Sequence, residues 1–173
     1  MINYKEKLHP IRALVFDFDG VMTDGSVWVT ASGETIRAGN IKDGFAVQYA
    51  VRKGYTVAVI SGATSASIDN RMRSLGVEQC YTGCADKMAA YERFLATNHL
   101  DDSQVLYMGD DLPDYPVMLR AGVGTCPADA AVEIKEAADY VSHCPGGRGA
   151  VRDVIEQVMR LHGCWFHDDA VLW

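Results

Sequence analysis

Three short, uniformly apolar runs mark the chain: Ala13-Leu14-Val15-Phe16, Tyr55-Thr56-Val57-Ala58-Val59-Ile60 and Val105-Leu106-Tyr107-Met108. Runs of this length, bounded by glycine and acidic residues, predict strands of a sheet covered on both faces. Weaker strand signals lie at 78–81, 123–125 and Tyr140-Val141. Between them the period changes to that of helices. One is predicted over 45–53 and ends at Gly54; another, over 64–75, carries Ile68, Met72 and Leu75 on one stripe and closes at Gly76. Asp86 is a plausible N-cap for a helix with Met88, Tyr91 and Leu95 inward. A helix near 130–137 follows, then a final one with Val151, Val154, Ile155 and Val158 as its apolar stripe. Alternating strands and helices predict an α/β fold with a doubly wound, mostly parallel sheet. One segment breaks the alternation. Residues 26–30 and 35–39 flank a turn at Gly33 and read as a β-hairpin inserted into the first crossover. Its Trp28 and valines need a cover, from the core or from another subunit.

With 173 residues, 49% of them hydrophobic, the chain is expected to be one domain over 1–173 with a sizeable core. A net charge of −7 argues against nucleic acid or an anionic membrane as partner. No apolar run approaches a membrane span, and the N-terminal Met1-Ile2-Asn3-Tyr4-Lys5 has no signal-peptide core, so the cytoplasm is expected. Five scattered cysteines, an odd number, fit reduced thiols rather than a disulfide framework. Cys80 with Cys84, or His162 with Cys164 and His167, could hold a metal; the first reading is set aside because Gly83 and an expected loop lie between the pair, the second because short Cys/His tracts arise readily by chance.

The chemistry concentrates after the strands. Asp17-Phe18-Asp19-Gly20 follows the first, Ser61-Gly62 the second, and Gly109-Asp110-Asp111-Leu112-Pro113-Asp114 the third long run. Alone, the first stretch could be an acidic Asp-Gly turn. In doubly wound sheets, however, ligands bind beyond the carboxyl ends of the strands, which gathers Asp17, Asp19, Ser61, Asp110, Asp111 and Asp114 in one crevice. Lys87 stands in the first turn of a helix, where a cation opposes the helix dipole, so helix propensity does not explain it. Carboxylates from two strands suit a hard cation such as Mg²⁺. A serine hydroxyl and a lysine ammonium suit an anion, most simply a phosphoryl group. An aspartate can attack phosphorus, and a second acid two residues on can protonate the leaving alcohol and then take a proton from water.

Asp17-Phe18-Asp19-Gly20-Val21, Ser61, Lys87 and Gly109-Asp110-Asp111 resemble, in order, the four motifs of the haloacid dehalogenase-like phosphatases. Longer stretches narrow the resemblance: Asp19 to Gly25, Asn40-Ile41-Lys42-Asp43-Gly44, Gly109 to Met118, and Gly146 to Arg152. Over 11–161 the chain is similar to the 3-deoxy-D-manno-octulosonate 8-phosphate (KDO 8-phosphate) phosphatase family. The resemblance implies a Rossmann-like fold with no large cap domain, Asp17 as nucleophile and Asp19 as general acid/base. It implies Mg²⁺ on the Asp17 carboxylate, the Asp19 carbonyl and Asp110, with Asp111 and Asp114 in support. Ser61 and Lys87 would hold the phosphoryl group of a small sugar-acid phosphate. Asn40, Ile41, Lys42, Asp43, Gly44 and Arg71 match positions that contact substrate, as Asp19 and Lys87 also do. Arg148 lies in a segment where the family's C-terminal region meets a neighbouring active site. A homotetramer joined through the hairpins is implied too.

Two positions depart from the pattern. Ala63 stands where many members carry arginine and the nine-carbon sialic-acid-type phosphatases carry glutamate, and Gln48 replaces another arginine. Both bear on the sugar-acid end of the substrate, and a nine-carbon 9-phosphate is the alternative within the class. A phospho-accepting receiver-like signalling module is the alternative from a different class. The resemblance says nothing of the tail over 163–173.

Overall fold

The architecture is taken from a computed structural model that describes residues 3–171; Met1, Ile2, Leu172 and Trp173, parts of the N-terminal stretch and the tail considered above, lie outside the described residues. A short helix α1 (Tyr4–Lys7) precedes strand β1 (Ala13–Phe16), and the hairpin β2 (Trp28–Val29) and β3 (Thr35–Ile36) follows. Helix α2 (Ile41–Arg52), β4 (Thr56–Ile60), α3 (Ala66–Ser74), β5 (Gln79–Tyr81) and α4 (Lys87–Asn98) come next. The chain continues through β6 (Val105–Met108), α5 (Tyr115–Arg120), β7 (Val123–Cys126), α6 (Val132–Ala137), β8 (Tyr140–Val141) and α7 (Ala150–Leu161).

Six strands form one sheet in the order β5-β4-β1-β6-β7-β8, every pair parallel. Strand side chains alternate between the faces and so divide the core in two. Leu14, Phe16, Val57, Val59, Leu106 and Met108 pack with Tyr49 of α2 and with Val151, Val154, Ile155 and Val158 of α7. Ala13, Val15, Ala58, Ile60, Val105 and Tyr107 pack on the other face with Tyr91 and Phe94 of α4, Val117 and Met118 of α5 and Ile134 of α6. Each of the larger side chains contributes roughly 1.5–3 kcal/mol by leaving water.

The predicted strands of the main sheet stand within a residue, whereas those of the hairpin are two to three residues shorter at an end. Four helical features differ, the first being α1, which was not expected. α2 begins four residues before the expected 45, because the Asn40 side chain accepts from the N–H groups of Lys42 and Asp43 and so starts the helix there. α3 begins two residues late, at Ala66, capped by Ser65. α5 was not expected at all; Pro116 fits its first turn, where the missing N–H has no partner to lose.

The hairpin forms as expected but is small and stands apart from the main sheet, pairing Trp28 with Ile36 and Val29 with Thr35. Trp28 is 71% exposed and Val29 69%. Ribbons of two strands are marginal in water by themselves, so this one needs outside support. The tail folds back onto α2: Trp165 meets Tyr49 edge-on at 5.6 Å, Arg152 stacks over the Trp165 ring, and Asp169 pairs with Lys53 at 2.8 Å.

Candidate active site

Register brings the acids together. Phe16 of the central β1 pairs with Val59 on one side and Met108 on the other, so Asp17, Ser61 and Asp110 all emerge just past the same edge of the sheet. The Asp17 N–H still donates to the Met108 carbonyl at 2.9 Å, which holds its side chain at the end of the ladder. Asp110 lies against Gly20. A Cβ there would fall 2.0 Å from Asp110 Oδ2, and φ is +84°, so both space and backbone require glycine.

Ligand atoms of Asp17, Asp110 and Asp114 all lie within 4.8 Å of one another, the one such group among the described residues. Lys87 Nζ reaches two of these acids, at 3.0 Å from Asp17 Oδ2 and 2.7 Å from Asp114 Oδ1. Asp17, Lys87 and Asp114 are all buried. Three carboxylates and one ammonium leave two negative charges over if all are ionised, and burying such an excess is costly. Burial above all, then the charge of Asp114, pushes the Asp17 carboxyl up to about 8 against the pull of Lys87. Burial and Asp114 also push Asp110 up to about 6. For Lys87, burial opposes its charge, but Asp17 and Asp114 outweigh it and raise its pKa. A divalent cation would cancel the excess, and the all-oxygen donor set suits a hard one.

Asp114 is the least free of the three. Its Oδ1 also accepts from the Tyr107 hydroxyl at 2.5 Å, and its Oδ2 lies 3.3 and 3.4 Å from the N–H groups of Asp110 and Asp111. Asp17 and Asp110 are therefore the acids with lone pairs to offer, while Asp114 braces the loop that carries Asp110. Asp111 is exposed and accepts from the Leu112 N–H at 2.8 Å, fixing the turn. Ser61 is buried; its Oγ accepts from the Ala63 N–H at 3.2 Å, which leaves the hydroxyl proton to donate to a bound oxygen.

Asp19 is turned toward the hairpin. Arg37, just past β3, grips it with two N–H groups: Nε to Oδ1 at 2.5 Å and Nη2 to Oδ2 at 3.1 Å. Sequence reasoning missed Arg37, since an arginine at a hairpin exit carries no signal of its partner.

The remaining positions divide. Asn40 caps α2 and donates from Nδ2 to the Gly147 carbonyl at 3.1 Å. Ile41 and Lys42 are exposed. Asp43 is buried, with its carboxylate accepting from the N–H groups of Gly149 at 3.0 Å and Arg152 at 2.8 Å. It thus ties α2 to the start of α7, and burial raises its pKa. Arg71 Nη2 lies 2.4 Å from where a Cβ on Gly44 would begin, and Arg71 shares a small crevice with Phe18, Asn40 and Asp43. Arg148 is exposed and pairs with Asp24 at 3.3 Å. In the tail, His162 meets Tyr55 at 2.5 Å and His167 the Gly163 carbonyl at 2.7 Å, so each ring has a partner other than a metal.

A parallel α/β sheet with an acid pair after its central strand, and a serine, a lysine and further acids at neighbouring strand ends, defines a haloacid dehalogenase-like hydrolase; that family matches residues 81–155. The 3-deoxy-D-manno-octulosonate 8-phosphate phosphatase of Yersinia pestis is 39% identical over 149 residues, 86% of this chain and 80% of that one. A Yersinia pestis crystal structure of such a phosphatase superposes with a TM-score of 0.92 at 36% identity, covering 94% of this chain and 88% of that one. Another, from Moraxella catarrhalis with magnesium, phosphate and KDO bound, gives 0.89 at 30% identity and covers 93% of both. The chain belongs to the 3-deoxy-D-manno-octulosonate 8-phosphate phosphatase family.

Proposed function

We propose that the protein hydrolyses KDO 8-phosphate to the free sugar acid and phosphate, with Asp17 as nucleophile. The observation that carries this reading is the buried cluster in which Asp17 touches Lys87 beside Asp110 and Asp114. Asp17 Oδ attacks phosphorus and the sugar C8 oxygen leaves, giving an aspartyl phosphate. Lys87 and the Ser61 hydroxyl hold the phosphoryl oxygens. Asp19 gives its proton to the departing oxygen and then takes one from the water that releases phosphate from Asp17. Mg²⁺ would be held by the Asp17 and Asp110 carboxylates and the Asp19 carbonyl, where it supplies positive charge that shields the attacking carboxylate from the phosphoryl group. Asp111 and Asp114 brace that site. Asn40, Ile41, Lys42, Asp43, Gly44 and Arg71 form the wall that receives the sugar, Asp43 by fixing the wall in place, and Arg148 meets a neighbouring subunit. Relatives of known substrate favour the eight-carbon acid over a nine-carbon one and over a signalling receiver.

The assembly belongs to the same reading. Val27, Trp28, Val29 and Ile36 leave an apolar hairpin uncovered, and a tetramer joined through four hairpins would cover it. The whole chain would act as one catalytic domain. Five free cysteines and the want of any helix long and apolar enough to cross a membrane, among the described residues, support a cytoplasmic place.

Phosphate release with Mg²⁺ is to be measured across eight- and nine-carbon keto-sugar-acid phosphates and simple hexose phosphates. The eight-carbon ester is expected to have the highest kcat/KM, and Asp17→Asn to be folded and inactive. Turnover by Asp17→Asn would refute the mechanism. Deleting residues 26–39 should lower the mass per particle below that of a tetramer.

A further inference from the structure

The hairpin reaches the chemistry through one side chain. Arg37 leaves the return arm of the hairpin and closes a two-point fork on Asp19, 18 residues earlier, at 2.5 and 3.1 Å. Its third nitrogen, Nη1, donates to Thr35 Oγ1 of β3 at 3.0 Å. The arginine side chain is only 10% exposed, so the guanidinium is held by its surroundings as well as by its partner. A planar fork fixes both the position and the plane of a carboxylate, which a single ammonium contact does not. The fork occupies one lone-pair direction on each Asp19 oxygen and leaves the others open to a leaving alcohol or a water. No other side chain is seen to grip Asp19 among the described residues.

We propose that Arg37 is the positioning residue of the acid/base: it sets the plane of the Asp19 carboxylate and through it the rate of proton transfer. The proposal rests on the phosphatase reading above. Arg37 has no need to touch substrate, so its removal acts on kcat and spares KM. A misplacement of about 1 Å in a reacting group can cost on the order of 100-fold, which puts the expected loss at about 10- to 100-fold.

The test is a double-mutant cycle on the Mg²⁺-loaded, full-length enzyme with KDO 8-phosphate, using single-turnover rates where steady-state turnover is slow. Arg37→Ala should lose about 10- to 100-fold in kcat with KM changed less than about threefold. Arg37→Lys, which keeps the charge but cannot fork, should fall between Arg37→Ala and the parent. In an Asp19→Asn background, either Arg37 change should cost less than about twofold, because the carboxylate it positions is gone. Melting temperature and mass per particle are recorded for each variant. A merely structural link would lower the melting temperature and leave kcat alone, and that result overturns the proposal. So does an equal loss with and without Asp19, a loss confined to KM, or a loss that follows dissociation of the particle. If Arg37→Ala does not fold, the Arg37→Lys cycle decides by the same criteria. Asp17→Asn serves as control: its activity would sink the phosphatase reading itself, whereas an inactive Asp17→Asn beside a fully active Arg37→Ala sinks only this proposal.

Discussion

Replacing Lys87 by methionine removes the one cation seen to pair with Asp17 and Asp114 while keeping nearly the same volume. Breaking a buried pair by deleting one partner costs about 3–5 kcal/mol. The cluster has an escape, because an orphaned carboxylate can take up a proton. At pH 7 that costs about 4 kcal/mol, roughly 1.4 for each of the three units separating pH 7 from the ordinary aspartate value near 3.9. Burial already pushes the Asp17 carboxyl up to about 8 in the metal-free parent, and without Lys87 the cluster has to take up a further proton to stay buried. The expected deficit is therefore about 3–4 kcal/mol at pH 7. The folded variant then binds more protons than its unfolded chain, so the penalty is smallest at low pH and grows as pH rises. By pH 5 it should shrink to about 1.5 kcal/mol. Urea unfolding of the chelated parent and variant at pH 5, 6 and 7 measures this. A deficit below about 1 kcal/mol at pH 7, or one that does not change between pH 5 and 7, would refute the account of the cluster.

The raised values of Asp17, about 8, and Asp110, about 6, set protons against Mg²⁺. Apparent affinity should weaken as pH falls from 8.5 to 6, by up to about tenfold per unit where one proton is displaced, and a pH-independent calorimetric titration would contradict this. Gly146→Ala would place a Cβ 1.9 Å from the Gly20 carbonyl oxygen. Since both sides of that contact are backbone, a loss of about 3 kcal/mol is expected in urea melts. Asp43→Ala strands the N–H groups of Gly149 and Arg152 and should cost roughly 2 kcal/mol; Asp43→Asn should recover at most about half, because its one carbonyl oxygen can accept from only one of them while its NH2 faces the other, as thermal melts would show.

Much of this was legible in the chain. Uniformly apolar runs at 13–16 and 105–108 give strands with the predicted bounds, because a strand buried on both faces admits nothing else. The acids after them were legible through the fold rule that gathers strand ends. What escaped was tertiary pairing. The resemblance implies a substrate-facing segment at Asp43, but no motif discloses that its carboxylate accepts from the backbone at the start of α7, more than a hundred residues on. Arg37 has no periodicity or spacing to connect it with Asp19. α5 was hidden because Asp110, Asp111, Pro113, Asp114 and Pro116 read as loop, and its short apolar face declares itself only against β7 and α6.

Gly146 and Gly147 lie with their backbones against Gly20, Thr23 and Asp24, near opposite ends of the chain. The loop that presents Asp17 and Asp19 is thus clamped by a segment made some 120 residues later. At translation rates near 10 residues per second, the first strand leaves the ribosome about ten seconds before its clamp exists. A nascent chain stopped before residue 146 can complete the sheet and hold Asp17, Asp19, Asp110 and Asp114, yet the loop over 17–24 stays unfastened. The fastening of that loop thus waits until residues 146 and 147 are made.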